Sequence, residues 1–223
     1  MGSILTDLFN DFGDTFVAST HKNFRKPVDI VEFPTVPKQD SEPFTIIWPD
    51  IERGPWVAGG AALRWYQGQP VGESDIDIFC RSAAQAKTIV DAVKSYGRHT
   101  TKFESDNATT LSYWAQDNSR TWTLQIIKRR YFNSLQEVID NFDITVCQIG
   151  TCGNNWLLNK DTAKDIRERN LRMNMPLHPD ATKRLAKYWT YGYRPVDGTL
   201  DHIINNPDSK WEYNIEEDYN NAF

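Results

Sequence analysis

The sequence predicts an α+β domain of mixed α/β type, and three observations carry this prediction. The 223 residues are 39% hydrophobic and 25% charged, which suits one domain with a packed core, or such a domain with a small appendage. Helical and strand periodicities alternate along the chain in the order αβαβαβββαβαα. No long uncharged apolar run predicts a membrane span. We therefore expect a twisted mixed sheet flanked by helices, followed by a short helical extension.

The first 54 residues are predicted to form a helix and a proline-rich lead-in that packs on the rest. Residues 3–12 have apolar side chains at helical spacing, with Ser3 as the N-cap. Six prolines punctuate residues 20–56, where residues 44–48 are predicted as a strand. The acidic start lacks the basic stretch of a secretory signal, so we do not expect one.

The best-defined part of the pattern is residues 56–82, which predict a strand, a glycine turn, a short helix, a loop and a second strand. Ser82 is the predicted N-cap of a helix over residues 83–96. Alternating apolar residues between 100 and 128 predict two or three strands. This order places two glycines and a pair of aspartates at the ends of neighbouring elements.

The second half of the chain predicts shorter elements. We expect a helix over 134–141, then a strand over 143–150 that continues into a hairpin. Helices are predicted over 161–172 and 179–191. The acidic and aromatic segment 198–223 has only a weak helical pattern.

We divide the sequence into a lead-in (1–54), a head (55–159), and a helical neck with an acidic tail (160–223). The net charge of −5 argues against a generic nucleic-acid binder, but it is unevenly distributed. Residues 160–194 hold 9 basic and 4 acidic residues, a net charge of +5, whereas residues 195–223 hold 1 and 7, a net charge of −6. The three cysteines cannot build a disulfide framework, so we expect a reducing cytoplasm.

The candidate metal-binding residues are the paired aspartates of the sequence SDIDIF. On a strand, Asp75 and Asp77 point to the same face and Ile76 to the other. Two carboxylates so close repel each other, and a divalent cation such as Mg²⁺ relieves that repulsion. The alternative is a pair of aspartates on a solvated strand face, which a bare D-x-D pattern favours.

The context favours the metal site. Gly59 and Gly60 stand between a predicted strand and a predicted helix, 16 and 15 residues before Asp75. Glycines there allow close backbone approach to a phosphate, and a helix start offers N–H groups to it. A tight turn without a ligand is the alternative. A phosphate cradle followed by a metal-binding pair is typical of a nucleoside-triphosphate site.

Five motifs now occur in order: GGAALR, SDIDIF, NFDITVC, KDIRERNLR and KRLAKYWTYGY. Together they resemble the DNA polymerase β-like nucleotidyltransferase superfamily, and in particular the catalytic head of class II CCA-adding enzymes and bacterial poly(A) polymerases. The resemblance spans roughly residues 55–193. It implies a nucleotidyltransferase head and a short helical neck.

The resemblance also implies chemistry. The expected reaction is metal-dependent transfer of a nucleoside monophosphate from a nucleoside triphosphate to an acceptor hydroxyl, with release of pyrophosphate. Asp75 and Asp77 would hold two Mg²⁺ ions, for which Mn²⁺ can substitute. The expected substrate-binding residues are Gly59, Gly60, Arg64, Ser74, Arg184 and Lys187.

Asp143 has two functional interpretations under this resemblance. In the wider superfamily, a third carboxylate binds metal and deprotonates the acceptor, whereas in the class II heads the corresponding aspartate helps to hold the nucleotide. A capping aspartate between a helix and a strand is the structural alternative. Arg184 and Lys187 share a helix face and correspond to residues that contact the base and the triphosphate.

The sequence departs from the family pattern at several positions. Arg64 falls one position late, and Trp65 stands where an aspartate is expected. The paired arginines before the third motif are absent, and Gln125 falls where some relatives carry an acidic residue. Lys187 replaces an arginine, so base selection is expected to be looser because lysine lacks a planar fork.

The acceptor is the least specified partner. An RNA end is favoured, with a small molecule or a protein as alternatives. Compact chains of this kind resemble phage or toxin-type nucleotidyltransferases, which predicts the host cytoplasm if a phage encodes the protein. The rival hypothesis is a non-catalytic module derived from the same fold that binds a nucleotide, RNA or a host protein. No membrane partner and no particular oligomeric state are predicted.

Overall fold

A computed structural model describes residues 15–19, 35–72, 74–96, 98–117, 119–174, 180–196 and 198–200. The described chain divides into two compact units. The sheet unit comprises the described residues within 17–139 and 149–157, and the helical unit comprises the described residues 15–16, 140–148 and those from 158 onward. The predicted helix over 3–12 and most of segment 198–223 lie outside the described residues. The three-part division of the sequence stays a prediction.

One mixed sheet organises the sheet unit, as the sequence predicted. Its order is β1-β8-β7-β2-β3-β6-β5-β4. β3 pairs with β6 in parallel, while β2 is antiparallel to both β3 and β7, and β5 is antiparallel to β4 and β6. The strands are β1 (Thr15–Ser19), β2 (Trp56–Ala58), β3 (Ile76–Phe79), β4 (His99–Glu104), β5 (Ala108–Trp114), β6 (Thr121–Ile127), β7 (Ile149–Thr151) and β8 (Asn155–Asn159).

Four α-helices accompany these strands in the described residues. They are α1 (Glu42–Ile47), α2 (Gly60–Tyr66), α3 (Ala83–Ser95) and α4 (Leu135–Asp140). A 3₁₀ turn at Lys38–Asp40 precedes α1. The predicted cap of α3 is confirmed, because the Ser82 hydroxyl accepts a hydrogen bond of 3.2 Å from the Gln85 N–H.

The core of the sheet unit lies on its central strands. Trp56 and Val57 on β2, and Ile76 and Ile78 on β3, are fully buried. Buried residues of β6 and α3 enlarge the same core: Trp122, Leu124, Ile126, Ala86, Ile89 and Val93. This packing fixes the central strands, whose ends carry the glycines and the aspartates.

The helical unit contains two α-helices and a small parallel pair of strands among its described residues. α5 (Lys160–Glu168) leads into β9 (Asn170–Leu171), and α6 (Ala181–Thr190) leads into β10 (Arg194–Pro195). The helix predicted over 179–191 is confirmed as α6. The one predicted over 161–172 is wrong at its end, because Arg169 adopts a left-handed conformation with φ 59° that ends α5.

The strand predicted over 44–48 is wrong, since those residues belong to α1 and its C-cap. Pro43 sits in the first helical turn, where its missing N–H costs no intrahelical hydrogen bond. Ile46 and Ile47 are buried, and Trp48 ends the helix with φ 46°. A short apolar run fits a buried helix as well as a strand, and the proline decides here.

The strand predicted over 143–150 is also wrong for most of its length. Thr145–Cys147 form a 3₁₀ turn, and the strand β7 begins only at Ile149. The Thr145 N–H donates to the Arg172 carbonyl (3.1 Å), so this backbone pairs outside the main sheet. Asp143, Thr145 and Cys147 therefore do not alternate along a strand.

Candidate active site

Gly59 occupies the turn between β2 and α2, and the backbone there requires glycine. Its φ is 78°, a left-handed conformation that strains any residue with a Cβ. Its N–H donates to the Ile149 carbonyl (3.0 Å), and its carbonyl accepts from the Leu63 N–H (2.9 Å). Gly60 then begins the helix, whose first-turn N–H groups have no partner within the helix itself.

The two predicted aspartates lie at one end of β3. Asp75 is exposed and directly precedes the strand, so only Asp77 stands on it, half-buried. Because β2 and β3 are antiparallel, the end of β2 and the start of β3 lie side by side. The glycine turn that follows β2 and the aspartate pair therefore share one end of two adjacent strands.

Gln125 lies beside Asp77 on the neighbouring strand of the sheet. Asp77 is aligned with Gln125 of β6, and Gln125 is aligned with Thr110 of β5. Aligned residues face the same side of the sheet, and the Gln125 amide lies 3.5 Å from the Thr110 hydroxyl. Two carboxylates and one amide oxygen form a donor set that suits a hard cation such as Mg²⁺. Within the described ranges, no three His, Cys, Asp or Glu side chains converge as a metal-binding group.

Arg64 and Ser74 shape the loop between α2 and β3. The Arg64 Nε–H donates to the Pro70 carbonyl (2.9 Å), and its own carbonyl accepts from the Gln69 N–H (2.9 Å). The Ser74 N–H donates to the Val71 carbonyl (3.3 Å). One guanidinium nitrogen of Arg64 is thus committed to the loop that leads to Asp75.

Asp143 forms the centre of a second group of predicted residues, within the helical unit. Its carboxylate is buried and accepts a 2.8 Å hydrogen bond from Arg184 Nη1, so the pair is ionic as well. Its carbonyl accepts from the Asn174 N–H (2.7 Å). Lys187 lies one turn beyond Arg184 on α6 and is exposed. The structure therefore unites two predicted residues that are 41 positions apart.

A buried acidic residue holds the segment that carries Asp143. The Thr145 hydroxyl donates to Asp165 Oδ2 (2.6 Å), and the Arg172 guanidinium donates to both Asp165 oxygens (3.2 and 3.4 Å). The Thr162 hydroxyl donates to the Thr145 carbonyl (2.8 Å). The hydrogen bonds to Asp165 raise the pKa of Arg172 above its ordinary value. This network fixes the turn two residues after Asp143.

A third contact docks α6 on the same segment. The Cys147 thiol donates to the Tyr188 hydroxyl (2.8 Å), and both side chains are buried. Burial raises the pKa of Cys147 to about 12, so the thiol stays protonated at neutral pH. Tyr188 follows Arg184 by one helical turn, so α6 meets residues 143–147 at two successive turns.

The chain matches the model of a known protein family. The model described as "Gad2: Gabija anti-defense 2 family protein" matches residues 34–169, more than half of the chain. The chain belongs to the Gad2 family. The matched range of this Gad2 chain contains the glycine turn, the aspartate pair and Asp143.

Solved structures show the fold of the Gad2 chain. A CCA-adding enzyme in complex with CTP matches with a TM-score of 0.53 and 13% identity over 79% of this chain and 47% of that one. A CCA-adding enzyme in complex with ATP also matches, with a TM-score of 0.49 and 17% identity over 68% of this chain and 37% of that one. So does the Thermotoga maritima CCA-adding enzyme in complex with tRNA, with a TM-score of 0.46 and 15% identity over 68% of this chain and 37% of that one. The first match confirms a nucleotidyltransferase-like fold, and the chain spans about half of that enzyme's length. No curated protein sequence matches the chain.

Several structural residues around the candidate site were missed by the sequence analysis. Asp165 and Tyr188 act through contacts with residues far away in the sequence. Trp65, which departs from the family pattern, is fully buried and donates its indole N–H to Asp40 Oδ2 (2.8 Å). For Tyr188, the available signal was its spacing of four from Arg184, which places both side chains on one face of the helix. Among the described residues, no helix is long and apolar enough to cross a bilayer.

Proposed function

We propose that the chain is a metal-dependent nucleotidyltransferase that moves a nucleoside monophosphate from a nucleoside triphosphate to an acceptor hydroxyl. The observation that carries this proposal is the shared strand end of the Gly59 turn and the Asp75–Asp77 pair. In the reaction, the acceptor oxygen bonds to the α-phosphorus, the bond to the β-phosphate breaks, and pyrophosphate leaves. An RNA end is the favoured acceptor.

Asp75 and Asp77 would hold two Mg²⁺ ions, or Mn²⁺ in their place. Bound metal would neutralise charge on the triphosphate and lower the pKa of the attacking hydroxyl. Gln125, beside Asp77 on β6, would add a neutral oxygen ligand. An amide accepts no proton, so the proton of the acceptor would pass to a carboxylate of the pair or to solvent.

The glycine turn would position phosphates. Because the Gly59 N–H is bound to Ile149, the phosphate contacts would come from Gly60 and the first turn of α2. Gly59 would permit the close approach, since it brings no side chain. Ser74 and the remaining donors of Arg64 would contact the triphosphate from the adjoining loop.

Asp143, Arg184 and Lys187 would hold the nucleoside. We favour this role for Asp143 over metal binding, because Arg184 is bound to its carboxylate at 2.8 Å. Asp143 would orient the Arg184 guanidinium, while Lys187 would supply a less directional positive charge. A nucleotide-bound structure separates the two roles, since a carboxylate oxygen at ~2.1 Å from Mg²⁺ would mean metal binding.

Label transfer tests the proposal. The full chain is incubated with Mg²⁺, total RNA and each nucleoside triphosphate labelled at the α-phosphate. We expect label on RNA with the wild type, and loss of at least a hundredfold in Asp75→Ala/Asp77→Ala. The exposed Asp91→Ala on α3 is the matched control and should transfer normally. Absence of transfer to RNA, protein or small metabolites by the wild type sinks the catalytic proposal.

The second candidate function is a non-catalytic module that counteracts the Gabija defence by binding. The family name supports an anti-defence role, which either binding or catalysis would supply. The same double variant separates the two in cells that carry this defence. If anti-defence activity disappears in Asp75→Ala/Asp77→Ala while the variant stays folded, catalysis underlies it. If the variant still protects as well as the wild type, the binding module is the better account.

A further inference from the structure

Two aromatic rings stand exposed where α6 ends. Trp189 is 46% and Tyr191 43% exposed, although large aromatic side chains are usually buried. The Tyr191 ring packs edge-on against the buried Tyr188 ring at 5.8 Å. Both rings therefore project from a fixed helix end in the helical unit.

One arginine lies against the exposed Trp189 ring, and a second lies against the buried Tyr193 ring that follows. The Arg194 guanidinium lies 5.1 Å from the Trp189 ring centre, and its Nη1–H donates to the Trp189 carbonyl (3.1 Å) and to the Tyr193 carbonyl (2.8 Å). Arg169 lies 5.2 Å from the centre of the Tyr193 ring. The Arg194 N–H also donates to the Arg169 carbonyl (2.8 Å), which joins the two exposed arginines through paired strands.

We define the stacking surface as Trp189, Tyr191, Arg169 and Arg194, with the exposed Lys187 one turn back on α6. It lies in the segment 160–194, whose 9 basic and 4 acidic residues give a net charge of +5. Three of these four acidic residues form ion pairs outside the surface: Asp165 with Arg172, Glu168 with Arg167, and Asp180 with Lys183. The surface thus combines flat rings with positive charge.

We propose that this stacking surface binds single-stranded nucleic acid. Unpaired bases stack on aromatic rings, and guanidinium and ammonium groups bind the phosphates between them. A protein partner would favour a continuous apolar patch, whereas here Arg194 lies beside the exposed Trp189 ring and Arg169 is joined to Arg194 through the paired strands. That the bound nucleic acid is also the acceptor of the reaction rests on the proposed function, but the binding itself does not.

Fluorescence anisotropy tests the binding with labelled 12-mers of uridine and of deoxythymidine, in EDTA and at several salt concentrations. The variants are Trp189→Ala/Tyr191→Ala and Arg194→Ala, and the matched control is Trp48→Ala, which removes a ring that is 78% exposed in the sheet unit. We expect at least about fivefold weaker binding without the two rings. The Arg194 variant should reduce the salt slope by about 1. The Trp48 variant should bind as the wild type does.

The outcomes separate this inference from the proposed function. Binding of either 12-mer that weakens only in the stacking-surface variants supports the surface, and the tighter of the two identifies the sugar. Binding of neither by the wild type overturns it, as does equal binding by all variants with unchanged circular dichroism and melting temperature. Label transfer is measured on the same proteins, so the inference can fail while transfer persists, or stand while transfer fails.

Discussion

Two buried aspartates, one in each unit, are paired with arginines in different ways. Asp40 of the sheet unit accepts from the Trp65 indole (2.8 Å), the Val71 N–H (2.7 Å) and the Trp122 indole (3.1 Å), and it forms an ion pair with Arg120 Nη1 at 2.7 Å. Its side chain is fully buried, and Arg120 is 23% exposed. Asp143 of the helical unit is almost as buried, yet its partner Arg184 is 34% exposed and lies on the helix predicted to contact the nucleotide.

The difference separates a structural carboxylate from a candidate functional one. Four groups from three segments surround both oxygens of Asp40, so this carboxylate ties the turn before α1 to α2, the following loop and the start of β6. The pair of Asp143 and Arg184 instead leaves a partly exposed guanidinium held in one orientation. The buried fraction of the side chain does not distinguish Asp40 from Asp143. The groups that contact each carboxylate do distinguish them.

The largest effect is expected from Asp40→Asn. This substitution removes the charge opposite Arg120 and leaves at least one buried donor without an acceptor. We expect a loss of about 3–5 kcal/mol in the free energy of unfolding. Urea titration at pH 7 measures it.

Asp91→Asn is the control for this substitution, because Asp91 pairs with Lys87 on an exposed face of α3. Surface pairs of this kind contribute about 0–1 kcal/mol. A similar small loss in both variants would mean that the Asp40 network is not structural.

An intermediate effect on stability, with a separate effect on binding, is expected from Asp143→Asn. Arg184 is partly exposed and can be hydrated, so the loss should be about 1–2 kcal/mol. Nucleotide affinity should fall on the order of tenfold, since Arg184 loses its charge-assisted orientation. Urea titration and titration with a labelled nucleotide measure the two quantities. A loss as large as that of Asp40→Asn with unchanged nucleotide affinity would place both aspartates in the structural class.

The smallest effect is a dependence of stability on alkaline pH. Burial raises the pKa of Cys80 in the sheet unit and of Cys147 in the helical unit to about 12, from an ordinary value of 9.0. Their contribution is complete below pH 9 and is lost as the pH rises towards 12, because only the unfolded thiols release protons in that range. At pH 10 the loss should be about 1 kcal/mol per thiol.

Urea titrations between pH 7 and 10 on Cys80→Ala and Cys147→Ala measure this dependence. Each variant should show a shallower decline than the wild type. The slopes are compared rather than the absolute stabilities, since burial also raises the pKa of Tyr188 and other groups contribute. A decline that neither substitution changes would contradict the assignment to the thiols.

Local patterns sufficed to predict the sheet unit around the candidate site. The glycine turn, the cap at Ser82 and the strands between residues 99 and 127 depend on neighbours in the sequence, so short patterns found them. Alternation predicted that Asp75 and Asp77 share a strand face. The structure places Asp75 just before β3, because strand limits depend on pairing partners that are distant in sequence.

The helical unit was harder to predict for the same reason. The turn at Thr145–Cys147 replaces the predicted strand because Thr145 binds Asp165 and Arg172, which follow it by 20 and 27 residues. Asp40 has no motif around it, and the partners of its side chain lie 25 to 82 residues away. A family resemblance found Asp143, but only the fold shows what holds it.

The parallel pairing of β3 with β6 has a consequence for how the protein is made. Ile76 meets Leu124, 48 positions later, and β2 meets β7 across more than 90 residues of chain. Such non-local contacts close late and slow folding, because the entropy of the intervening loops is lost first. During synthesis, β3 can pair with β6 only after residue 127 has left the ribosome, and β2 can pair with β7 only after residue 151 has done so. Premature termination before residue 149 would therefore leave the edge of β2 exposed and prone to aggregation.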